Sequence, residues 1–158
     1  PDERAMKFTL AVPTRLLGVR VVVAVCGAFD WVLYEGTTAL KTVSIDPEQT
    51  GTGSTSRNSY FIGSTDVLAA GTAYYLSMKP TSTNQTNLAD MDVPSAAAMD
   101  ALAGGQAFHL ATRTDAGAWS PTTTKRPLME LIFDQFSDGA GGGSGGGMHL
   151  VAGGGLAG

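Results

Sequence analysis

The chain has 158 residues, 43% of them hydrophobic and 15% charged, with a net charge of −4. That length and apolar content suit one domain with a buried core, and the charge offers no basic footprint for nucleic acid or an anionic membrane. The single cysteine excludes an intrachain disulfide, and no stretch reaches the roughly 18 apolar residues of a membrane-spanning helix.

Residues 6–12 alternate, with Met6, Phe8, Leu10 and Val12 on one face and Lys7, Thr9 and Ala11 on the other. Period two is the pattern of a half-buried strand. Pro13 and Thr14 break it. Residues 16–45 are the stretch around which a domain organises. Leu17, Val19, Val21, Val23 and Val25 share one face of a long strand, and Val22, Ala24 and Cys26 keep the other face mostly apolar. The β-branched valines favour a strand over a helix. Two apolar faces predict a central strand, with Cys26 as a small buried hydrophobe. After Gly27, Phe29, Trp31 and Leu33 alternate with Asp30, Val32 and Tyr34. The Glu35-Gly36-Thr37 turn then returns the chain along 39–45. This predicts a hairpin beside the central strand, with Asp30 on a solvated face.

The polar segment 46–58 reads as a long loop. Further strands are predicted over 59–62, over 73–79 (ended by Pro80), and over 87–93, 108–112 and 128–136, with Trp119 opening a short edge strand. Residues 94–102 are the one helix candidate: Ser95 can cap it, alanines propagate it, and Gly104-Gly105 stop it. A helix of about two turns holds only when docked on a sheet. Short strands separated by turns, with no strand–helix alternation, predict an all-β fold. The expectation is an antiparallel, jelly-roll-like β-sandwich with one short helix.

At residue 139 the composition changes, and eleven of the last twenty residues are glycine. The predicted organisation is therefore a sandwich over 1–138 and a glycine-rich tail over 139–158. Glycine loses most entropy on ordering, so such a tail is flexible in isolation. Met148, Leu150, Val151 and Leu156 punctuate it, and a plain linker needs no apolar anchors. These four are the candidate assembly contacts.

No residue set spells a reaction. His109 lies between Phe108 and Leu110 and is expected to point at solvent or at the opposite sheet; His149 lies in the tail. Two histidines without a cysteine pair give no zinc spacing. There is no G-x-S-x-G elbow, and the glycine runs lack the lysine of a phosphate loop. Asp90, Asp92 and Asp100, and again Asp134 and Asp138, cluster without EF-hand spacing. Asn84-Gln85-Thr86 fits a glycosylation sequon. Neither catalytic nor metal-ligating residues, nor a cofactor, are expected. Tyr34, Tyr75 and Trp119 are the aromatics that could face a ligand such as a sugar, although strand aromatics are ordinarily core residues.

Two segments carry a resemblance: 29–37 (FDWVLYEGT) and 68–76 (LAAGTAYYL). Both are similar to successive strands of β-sandwich accessory modules. The glycine run through Met148-His149-Leu150 and Gly153 to Gly155 resembles the ends of some tailed-bacteriophage virion proteins. Together they look like a phage structural module of the fibre, spike or capsid-decoration type. The resemblance implies a non-enzymatic virion protein that contacts other virion proteins. It also implies homo-oligomerisation, as a trimer in fibres and decorations of this kind, and leaves room for a host-surface glycan. The alternative is a carbohydrate-binding module of a secreted or surface bacterial protein. A hydrolase with an unrecognised site is the third reading.

Overall fold

A computed structural model describes residues 2–25, 27–45, 56–81, 87–92 and 108–134. Among them run twelve strands and no helix: β1 (Asp2–Phe8), β2 (Leu16–Val25), β3 (Phe29–Glu35), β4 (Thr38–Ile45), β5 (Ser56–Phe61), β6 (Tyr74–Pro80), β7 (Asn87–Leu88), β8 (Asp90–Asp92), β9 (Phe108–Thr114), β10 (Ser120–Thr122), β11 (Lys125–Pro127) and β12 (Met129–Phe133). The fold is the antiparallel β-sandwich that the alternation predicts. One sheet has the order β10-β9-β1-β6-β3-β4, and the other β12-β2-β5, with β7 also pairing β2. β8 and β11 make a small two-stranded sheet. The chain crosses repeatedly between the two large sheets, as in a jelly roll.

The core lies between the sheets. Met6, Phe8, Phe29, Trp31, Leu33, Leu76 and Met78 enter it from the six-stranded sheet, and Leu16, Val19, Val21, Val23 and Tyr60 from the other. Phe29 meets Trp31 and Tyr60 edge-on, with ring centres 5.4 and 5.8 Å apart, the arrangement that aromatic quadrupoles favour.

Residues 16–45 are central, but not as one sheet. The valine strand β2 is the middle of the β12-β2-β5 sheet, whereas the β3–β4 hairpin belongs to the six-stranded one. The apolar faces of both are covered because they face each other across the core. β1 is also an interior strand: it lies between β9 and β6. It starts at Asp2 and stops at Phe8, earlier than the alternation suggests, and Val12 is exposed. Pro13, which lacks an N–H, lies in a segment that crosses between sheets. There the Thr14 and Leu68 backbones exchange two hydrogen bonds, at 3.2 and 2.7 Å.

The strand expected over 87–93 splits at Ala89, with β7 joining β2 and β8 joining β11. Strand β11, Lys125-Arg126-Pro127, was not expected, because two cations and a proline show no apolar period. The last strand ends at Phe133. The helix expected over 94–102, Cys26, the sequon at Asn84, most of the 46–58 loop and the tail with Met148, Leu150, Val151 and Leu156 lie outside the described residues.

Candidate functional site

The outward face of the six-stranded sheet is polar at its centre yet closed to water. Register places Ala111, Ala5, Ser77 and Val32 side by side across β9, β1, β6 and β3. Three of these four side chains are small, so longer ones from neighbouring rows can lie across them. Glu3 and Arg113 face each other across β1 and β9 and do so. Arg113 donates to Glu3 Oε1 from Nε at 3.0 Å and from Nη2 at 2.8 Å. Ser77 Oγ and the Tyr34 hydroxyl donate to Glu3 Oε2 at 3.0 and 3.2 Å. All four side chains are buried. A carboxylate out of water is costly unless its lone pairs are satisfied, and here four donors converge on it.

The three aromatics singled out from the sequence, Tyr34, Tyr75 and Trp119, meet at this same place. The Tyr75 and Trp119 rings stack with centres 4.8 Å apart and planes 6° from parallel. Tyr34 meets Trp119 edge-on at 5.7 Å. The Arg113 guanidinium lies 4.3 Å from the Tyr34 ring centre and 4.4 Å from that of Trp119. Trp119 Nε1 donates to the Gly36 carbonyl at 2.9 Å, tying the β9–β10 loop to the β3–β4 turn. Tyr34 is buried, while Tyr75 and Trp119 are half-buried. The cluster is therefore a lid of rings over an ion pair, and its faces are largely taken by its own members. Burial, reinforced by the Glu3 charge, pushes the Tyr34 hydroxyl up to about 12. Burial alone raises Tyr75.

Sequence reading missed Glu3, Arg113 and Ser77. Their only signal was a charged residue at each of two strand positions, and which strands become neighbours is not written locally. His109 does not point at solvent: it is buried on this same outward face, on the row of Lys7. Asp30 is half-buried. Asp90 and Asp92 share the Lys125 ammonium, at 2.9 and 3.7 Å. The hydrogen bond from Lys125 to Asp90 raises the lysine. Asp134 accepts a hydrogen bond from Thr14 Oγ1 at its carbonyl, at 2.6 Å.

A second feature lies on the outward face of the β12-β2-β5 sheet. Gly18 on β2 pairs Ile132 of β12 on one side and Phe61 of β5 on the other. The inward neighbours on these strands, Val19, Leu131 and Tyr60, turn to the core, so Ile132, Gly18 and Phe61 share the outward face. Phe61 is 76% exposed and Ile132 39%. Between them Gly18 is buried, and Ile132 Cδ1 lies 3.6 Å from where a β-carbon of Gly18 would stand, so the isoleucine side chain leans over the glycine.

Comparison of the chain with models of protein families, with curated proteins and with solved structures found no match.

Proposed function

We propose that this protein is a non-enzymatic structural module that assembles with other subunits, in the setting that its resemblance implies: the virion of a tailed bacteriophage. The observation that supports this is the Phe61–Gly18–Ile132 row. Strand register aligns an exposed aromatic and an exposed isoleucine on one sheet face, on either side of Gly18. Apolar side chains scattered singly over a surface need no explanation, but contiguous ones mark contact surfaces. The occupant proposed is a second copy of this chain. A contact between copies can seat Phe61 of one against Ile132 of the next. The low charge and the Thr-, Ser- and Gly-rich composition agree with a virion β-protein.

The test is the mass of the full chain in solution, by light scattering across a concentration series. The native chain is expected to self-associate, and Phe61→Ser with Ile132→Thr to hold it monomeric with the melting temperature little changed. A native chain that stays monomeric, or a variant that associates equally, overturns the reading. Sugar binding on a glycan array that is lost in Trp119→Ala or Tyr75→Ala would instead support a carbohydrate-binding module acting at the cell surface or outside the cell.

A further inference from the structure

A cleft of about 280 Å³ opens where the small β8–β11 sheet meets β2 and β12. Two of its lining residues, Val22 and Leu128, belong to a closed ring of three backbone hydrogen bonds. Val22 N–H donates to Leu128 C=O at 2.9 Å, Leu128 N–H to Ala89 C=O at 2.8 Å, and Ala89 N–H to Val22 C=O at 3.2 Å. Three segments distant in sequence are thereby pinned at one point. The two walls are cross-strand pairs, Arg20 with Glu130 on one side and Met91 with Arg126 on the other.

The walls differ in charge balance. Arg20 Nη1 is neutralised by Glu130 at 3.0 Å. Arg126 has no carboxylate within ion-pair distance among the described residues; its guanidinium rests 5.2 Å from the Phe108 ring centre. Met91, 46% exposed, stands beside it. Among the described residues the cleft thus carries one positive charge without a carboxylate partner, beside the apolar side chains of Met91, Leu128 and Val22. Its volume is just below the usual range of small-ligand sites, so only a small group fits. A guanidinium offers paired donors that match a carboxylate, and the remaining surface accommodates methylene groups.

We propose that this cleft binds a small ligand bearing one carboxylate on a short aliphatic stem, with Arg126 taking the carboxylate and Met91 and Leu128 the stem. The site adjoins the Phe61–Gly18–Ile132 row, since its Arg20–Glu130 wall is the next outward-facing row of β2 and β12, but the ligand reading does not rest on assembly. Such a group can be a free fatty carboxylate or the C-terminus of a peptide ending in an aliphatic residue.

The test is titration of the full chain followed by the NMR signal of the Met91 methyl group. The probes are sodium octanoate, 1-octanol, and an acetylated Ala-Leu-Leu peptide in free-acid and amidated forms. Octanoate or the free-acid peptide is expected to shift Met91 saturably, and whichever binds more tightly identifies the source. The alcohol and the amide should bind about tenfold more weakly or worse. Arg126→Gln should erase that preference while leaving the weak alcohol binding intact. Arg126→Lys should retain part of it, and Glu130→Gln should strengthen carboxylate binding. The proposal is overturned by the absence of a saturable shift, by equal binding of octanoate and octanol to the native chain, or by an unchanged preference in Arg126→Gln. The comparison of probes on the native chain stands even where a variant fails to fold.

Discussion

Arg113 and Glu3 stand opposite each other in register on β9 and β1, and both Arg113 donors reach the same carboxylate oxygen, at 3.0 and 2.8 Å. Glu3 Oε2 is left free to accept from Tyr34 and Ser77. A pair this deeply buried, with side chains 3% and 2% exposed, gives up nearly all its hydration. Removing one partner strands the other as an uncompensated charge. Glu3→Gln or Arg113→Met alone should therefore lower the unfolding free energy by about 3–5 kcal/mol. The double variant should lose less than the sum of the two. Urea denaturation of all four proteins in a double-mutant cycle reads the coupling; additive losses would mean that the pair acts as two independent groups.

Tyr34 gives the same cluster a pH signature. Its hydroxyl is held up to about 12 in the folded protein by burial and by the nearby Glu3 carboxylate, against about 10 in an unfolded chain. Because the folded value is the higher one, the stabilising contribution is complete below about pH 10. It is lost as pH rises toward 12, where the unfolded chain ionises and the folded one resists. Absorbance titration near 295 nm should show tyrosine ionising late in the native protein. Tyr34→Phe should remove the latest step and flatten the fall of stability above pH 10.

Gly18 is required by a close approach. A β-carbon there would stand 2.8 Å from the Tyr60 carbonyl oxygen, which belongs to the backbone of β5, and 3.6 Å from Ile132 Cδ1. The ladder between β2 and β5 must shift to admit it. Gly18→Ala should cost about 1–3 kcal/mol, read as a melting temperature lower by several degrees. An unchanged melt would show that the two strands yield freely at this point.

The turn between β9 and β10 is strained by its residues. Asp115 and Ala116 take φ values of 48° and 60°, and Gly117 N–H donates to the Thr114 carbonyl at 2.9 Å. Two left-handed central residues closed by that bond define a type I′ turn, which favours Asn-Gly or Asp-Gly. Ala116→Gly should therefore stabilise the protein by about 0.5–1 kcal/mol. Tryptophan emission should stay unchanged, since Trp119 keeps its place on Tyr75. A destabilised variant would mean that the turn geometry differs.

Several features were legible in the residues themselves. The valine period of β2, the alternation on either side of Gly36 and the break at Pro13 reflect side-chain direction and backbone freedom, which are local properties. The choice of Tyr34, Tyr75 and Trp119 as a group also came from the chain, yet the sequence does not show that they close over an ion pair. That cluster joins residues from β1, β3, β6 and β9 and the loop before β10, and its existence depends on which strands become neighbours. The same holds for the stripe of Phe61, Gly18 and Ile132 and for the ring of hydrogen bonds among Val22, Leu128 and Ala89. Alternation specifies which face of a strand is apolar. Only the packing of two sheets decides which face meets which, because that choice is made by the sum of many long-range contacts and not by any one segment. So the sequence by itself determined most strands of the two large sheets and their inward faces, while the tertiary structure decided the short β8–β11 pair, the split of residues 16–45 between two sheets and the burial of Glu3 beneath the aromatic lid.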